Sequence, residues 1–133
     1  MDRTLFDQTG RPVAYLHYDY HGSIFLWNGR AVAYVYENEH VYGINGKHLG
    51  WLIDDVLYTN EGTRIGFTIT TCPVPAEREP AKMERLAVDQ IRPRWKAPPT
   101  PKLEFRFSDR DFEAFLKEGG VPPFDAESDT GAS

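Results

Sequence analysis

Four copies of one pattern fill the first 72 residues: an aliphatic residue, an aromatic residue, a turn closing on Gly, then aliphatic, small and aromatic residues in succession. The copies centre on Gly10, Gly29, Gly46 and Gly62, so the repeat is 16 to 19 residues long. Five positions before each Gly stand Leu5, Ile24, Val41 and Leu57, followed by Phe6, Phe25, Tyr42 and Tyr58. After it come Val13-Ala14-Tyr15, Val32-Ala33-Tyr34, Leu49-Gly50-Trp51 and Ile65-Gly66-Phe67. No copy is long enough for two helices, and each reads as a β-hairpin around a Gly turn. Asn28-Gly29 and Asn45-Gly46 predict two-residue type I′ turns, whereas Asp7 to Gly10 and Thr59 to Gly62 predict longer loops with Gly in a G1 bulge.

Two-residue pairing would put the aromatic residue before Gly opposite the aliphatic residue three after it, as Phe25 opposite Val32. The other face would pair the preceding aliphatic residue with Ala14, Ala33, Gly50 or Gly66. Both faces are then apolar, and each hairpin must be covered twice. Four hairpins closed in a ring meet that demand and remove most free edges. The small residue would let a backbone or an aromatic ring approach closely, so a bulky side chain at Gly50 should be costly. Eight antiparallel strands are predicted near residues 3–7, 11–18, 23–27, 30–36, 40–44, 47–53, 56–59 and 63–71.

Through these four copies, and above all the run from Val41 to Trp51, the chain resembles the four-fold beta-flower domain family. The resemblance is close over residues 4 to about 70 and looser over the Pro-rich stretch and the element from Phe107 to Leu116. It implies a flower-like, pseudo-four-fold ring of hairpins, propeller-like or barrel-like, and carries no activity or catalytic residues with it.

After Thr71 the pattern changes, with seven of the ten prolines between Pro73 and Pro101. Residues 72–102 read as a linker or strap following a four-hairpin domain over 1–71. Within it, 82–91 suits a short helix or an added strand, and Pro93 to Pro101 reads as extended polyproline carrying Trp95. The size of that indole favours docking on the ring. Residues 103–121 are expected to add a strand, from the alternation in Leu103 to Phe107, and a helix N-capped by Ser108 and stopped by Gly119-Gly120. Phe112, Phe115 and Leu116 give that helix an apolar face suited to closing one end of the ring. Residues 122–133 have little to bury and read as a disordered tail.

With 133 residues the chain supports one modest core, so the class is an all-β core with a small α element. It has no 18-residue apolar run and no signal-peptide pattern, and a cytoplasmic, non-membrane protein is expected. Cys72 is single, which excludes an internal disulfide and a paired-cysteine zinc site. The net charge of -5 argues against a general nucleic-acid binder.

No phosphate loop, His-Glu-x-x-His, Gly-x-Ser-x-Gly or paired Cys motif occurs, and no cofactor is expected. The leading functional reading is therefore a non-enzymatic binding module with a protein partner or self-association. Its expected contact surfaces are a basic rim at the hairpin tips (Arg11, Arg30, Lys47 and Arg64), suited also to an anionic ligand, or the arm bearing Trp95. Trp95 and the apolar helix face should then keep solvent access in the isolated chain, or mediate assembly. The alternative is a metal-assisted or acid-base hydrolase using His21, His40 and Asp54 or Asp55, drawn from the acidic turns that join the hairpins.

Overall fold

The structure, a computed structural model, describes residues 2–18, 22–87 and 93–120. Eight strands follow in order: β1 (Asp2–Phe6), β2 (Pro12–His17), β3 (Ser23–Leu26), β4 (Ala31–Tyr36), β5 (His40–Gly43), β6 (His48–Ile53), β7 (Val56–Thr59) and β8 (Arg64–Phe67). Each pairs antiparallel with the next, and β8 returns to β1 through Phe6 and Phe67, closing a barrel. The ring is thus a barrel and not a propeller. The eighth strand ends at Phe67, short of residue 71, because Thr68 accepts the Thr71 and Cys72 amides in a turn.

All four tips share one geometry, and it is not the type I′ turn expected at the Asn-Gly pairs. The Gly10, Gly29, Gly46 and Gly62 amides donate to the carbonyls three residues earlier, and each glycine has φ between 86° and 97°. Asn28 and Asn45 do not have positive φ, so all four are three-residue loops with a G1 bulge. Side chains stabilise the bend in two ways. Asn28 and Asn45 accept the amide two residues on, whereas Asp7 and Thr59 reach the amides two and four residues on. Two successive residues of positive φ occur instead at the opposite end of the barrel, at Glu37-Asn38 and Asp54-Asp55. The bulge also alters the register: Phe25 faces Ala31 rather than Val32, and Tyr42 faces His48 rather than Leu49.

The expected inner pairs hold, with Leu5 opposite Ala14, Ile24 opposite Ala33, Val41 opposite Gly50 and Leu57 opposite Gly66. These residues belong to the buried core or line its narrow places. The aromatic residues point outward and meet their counterparts in the next hairpin: Tyr15 with Phe25, Tyr34 with Tyr42, Trp51 with Tyr58, and Phe67 with Phe6. The first two pairs stack at 5.7 and 5.8 Å between centroids, a favourable cross-strand arrangement.

Helix α1 (Phe112–Gly120) seals the hairpin-tip end with Phe112, Phe115 and Leu116, all buried. Its N-cap is Asp111, whose carboxylate accepts the Ala114 amide, and not Ser108, which accepts the Arg110 amide in the preceding turn. The strand expected over 103–107 does not form. Phe107 makes only a single parallel bridge to Arg64, whose amide donates to the Arg106 carbonyl and whose carbonyl accepts the Ser108 amide. Residues 82–87 are neither helix nor strand; their apolar side chains are spread along an extended path. The rest of the 82–91 segment, the expected tail and His21 lie outside the described residues.

Candidate interaction surface

The described parts of the chain between β8 and α1, residues 68–87 and 93–111, form a belt on the barrel, and its register is regular. The amides of Glu77, Leu86, Trp95 and Glu104 donate to the carbonyls of Gly10, Gly29, Gly46 and Gly62 at 2.8, 2.9, 2.9 and 2.9 Å. The anchors are therefore spaced nine residues apart along the belt. Adjacent hairpins are separated by two strand spacings, about 10 Å, whereas nine extended residues reach about 30 Å. Between the first two tips the surplus chain descends along the wall. In the first descent Glu79 bonds Thr4, and Lys82 bonds Asp2 at 2.7 Å while covering the Tyr15 ring. Later, the Tyr34 hydroxyl donates to the Pro93 carbonyl at 2.8 Å, and the Arg94 guanidinium lies 4.0 Å from the Tyr36 centroid. The belt thus covers the outward aromatic ring, which closed strands alone would leave in water.

Although anchored, the belt displays large apolar side chains. Trp95 packs an edge on the tip, so that a Cβ on Gly46 would meet its Nε1 at 3.1 Å, yet the residue is 54% exposed. Phe105 is 86% exposed, and Met83, Leu86 and Leu103 are also outside. The Arg64 guanidinium lies 4.1 and 4.3 Å from the Phe105 and Phe107 centroids and donates through Nε to the Phe105 carbonyl.

Arg11, Arg30, Lys47 and Arg64 do follow the four tips, but α1 lies across that end and engages two of them. Arg11 pairs with Asp7 and with Glu113 of the helix at 3.4 Å, and Lys47 pairs with Glu118 at 3.1 Å. Arg64 is held by the two phenylalanines. Arg30 is exposed with no ion-pair partner among the described residues. The rim is consequently much less available than the sequence suggests, while Trp95 is both docked and accessible. The apolar helix face, expected to keep solvent access, is instead buried as the plug.

The opposite end is an open mouth of about 490 Å³. Leu16, Val35 and Leu52 form its floor, and Glu37, Asn38, Asp54 and Asp55 lie on its rim, where Asp55 pairs with Arg3 at 2.7 Å. Among the described residues, no three His, Cys, Asp or Glu side chains gather as a metal would require. His40 packs on Trp51, 4.6 Å between ring centroids, and on His48, away from the Asp54-Asp55 turn that lines the mouth.

His48 belongs to a network that the sequence does not announce. The Trp51 indole donates to Asn60 Oδ1 at 3.0 Å, and Asn60 Nδ2 donates to the His48 carbonyl at 3.0 Å. With Asn60 so oriented, His48 Nδ1 donates to the same oxygen and His48 Nε2 accepts from His40 Nδ1, both at 3.1 Å. Burial, and then the neighbouring His40, push the His48 imidazole down to about 4, although the Asn60 bond opposes this. The unfolded chain accepts a proton near pH 6.5 that the folded chain refuses until about pH 4. Stability from this group is complete above pH 6.5 and declines as pH falls toward 4, by roughly 2 to 3 kcal/mol. Chemical denaturation across that range should show the decline, and His48→Gln should flatten it.

A closed eight-stranded barrel of four equivalent hairpins, plugged by one helix and wrapped by one belt, is the class of molecule these features define. The chain belongs to the family described as 4-fold beta flower protein, whose family model matches residues 3–116. No curated protein and no solved structure matches it. No helix among the described residues is long and apolar enough to cross a membrane.

Proposed function

We propose that this chain is a non-enzymatic protein-interaction module in which the barrel is a rigid scaffold and the belt is its contact surface. The observation that carries this reading is Trp95, fixed by a backbone bond to Gly46 yet with about half of its surface in water. An isolated domain gains nothing by leaving an indole exposed, whereas interfaces favour large aromatic anchors on pre-organised backbone. The paired tip cations direct attention to the same surface.

Trp95→Ala should weaken capture of a protein partner at least tenfold, a usual effect for a hot-spot aromatic. It should lower stability by only about 1 kcal/mol, because the backbone bond remains. Parallel affinity capture and thermal melting of both proteins check this; equal capture by the two would remove the belt from the interface.

A further inference from the structure

The barrel's two ends are finished differently. Helix α1 fills the hairpin-tip end with Phe112, Phe115 and Leu116, whereas the mouth of about 490 Å³ at the other end is open. Six residues after the tip glycines stand Leu16, Val35, Leu52 and Thr68, and the three aliphatic members form the floor of that mouth. Tyr18, 53% exposed, stands at its side. The volume falls in the usual range for small-ligand sites, and barrel mouths are among the places where such sites occur.

The charge around this floor is one-sided. Among the described residues, three carboxylates, Glu37, Asp54 and Asp55, line the mouth against one cation, Arg3. Asp55 is already engaged: its Oδ1 accepts from Arg3 at 2.7 Å, and its backbone carbonyl accepts the Thr71 hydroxyl at 2.7 Å. Glu37 and Asp54 are exposed and have no ion-pair partner among the described residues. Negative charge therefore stands uncompensated above an apolar floor. A bare metal ion would have to shed water against aliphatic side chains, and an anion would be repelled by the rim.

We infer that the mouth is a binding site for a small organic ammonium, whose hydrocarbon body lies on Leu16, Val35 and Leu52 while its charge stays at the rim beside Glu37 and Asp54. The two halves of such a ligand are served at different depths. Burying the body removes apolar surface from water, and an ammonium that remains partly hydrated gains the carboxylates' attraction without the full cost of desolvation. Tyr18 adds an aromatic wall that suits either an alkyl chain or a cation. The site lies at the end away from the tips, and it stands whether or not the belt meets a protein.

The test titrates the full chain with n-hexylammonium and follows the methyl NMR signals of Leu16, Val35 and Leu52 together with the melting temperature. Saturable shifts at those methyls and a rise in Tm are expected. Methylammonium, which lacks the body, should bind at least about tenfold more weakly, and hexanoate, which reverses the charge, should bind about as poorly. Glu37→Gln combined with Asp54→Asn keeps the side-chain sizes and removes the charge. That variant should bind hexylammonium about fivefold more weakly, the loss of two exposed charge contacts, with the melting of the free protein unchanged. Hexanoate binding as tightly as hexylammonium would reveal an apolar crevice without charge selection, and methylammonium doing so would reveal a bare acidic rim. Either result would overturn the inference, as would full affinity in the double variant or the absence of saturable shifts at the three methyls.

Discussion

Gly29→Ala is expected to lower stability by about 3 kcal/mol and to release the belt at the second hairpin. Two independent costs combine. The left-handed backbone, at φ 90°, costs a residue with a Cβ about 1 to 2 kcal/mol. The new methyl would also lie 2.0 Å from the Glu84 carbonyl oxygen, so the belt must move and the Leu86 bond to Gly29 is lost or stretched. That bond contributes about 1 kcal/mol. Gly29→Asn separates the two, since Asn tolerates the left-handed region but keeps the Cβ. Denaturant unfolding should place Asn between Gly and Ala, and hydrogen exchange at the Leu86 amide should accelerate in both variants. If Asn restored full stability and full protection, turn geometry alone would account for the glycine.

The same residues show why the barrel was legible in the sequence and the belt was not. Ile24 with Ala33 and Leu57 with Gly66 carry their partners in side-chain class, so repetition at a period of 16 to 19 reveals both the hairpins and their inner pairs. Glu77, Leu86, Trp95 and Glu104 share no class, because they dock through backbone amides to which side-chain chemistry is indifferent. Their nine-residue period therefore leaves no trace in composition. The two Asn-Gly tips depart from the type I′ expectation for a related reason, whereas the G1-bulge loops expected at Gly10 and Gly62 do form. Asn-Gly favours type I′ in a free hairpin, but here each tip glycine must also receive the belt; at Gly10, Gly29 and Gly62 a Cβ would meet a belt carbonyl oxygen within 2.4 Å. Charge at Arg11 and Lys47 was visible, whereas the carboxylates that engage it, Glu113 and Glu118, lie 102 and 71 residues away. Trp95 stood out in the sequence by size and setting, and it is the candidate residue that the structure leaves both anchored and accessible.

The small-residue column reads Ala14, Ala33, Gly50 and Gly66, and from sequence alone Ala would pass as equivalent to Gly. The plug makes the positions different. One helix cannot pack equally on four repeats, and its phenylalanines lean toward the two glycines: a Cβ on Gly66 would meet Phe112 Cζ at 2.5 Å, and one on Gly50 would meet Phe115 Cζ at 3.3 Å. Gly50 is the tighter site, because its Cβ would also lie 2.1 Å from the Tyr58 carbonyl oxygen, a backbone atom with little freedom to withdraw. Its φ is outside the positive range, so the obstruction is steric and strain of the backbone plays no part. Gly50→Ala should therefore cost about 3 kcal/mol and lower Tm by roughly 10 °C, while Gly50→Val should cost more than about 4 kcal/mol. Ala33→Gly, at the matching position away from the plug's rings, should cost only about 1 kcal/mol. Thermal melts of these three variants and of Gly66→Ala decide between these origins. A Gly50→Ala protein as stable as the parent would mean that the column needs only a small residue, with no contribution from the helix. A large loss for Gly66→Ala, where the three atoms nearest the new Cβ all belong to Phe112, would show that the single plug breaks the barrel's four-fold equivalence, whereas a loss confined to Gly50 would trace to the Tyr58 carbonyl.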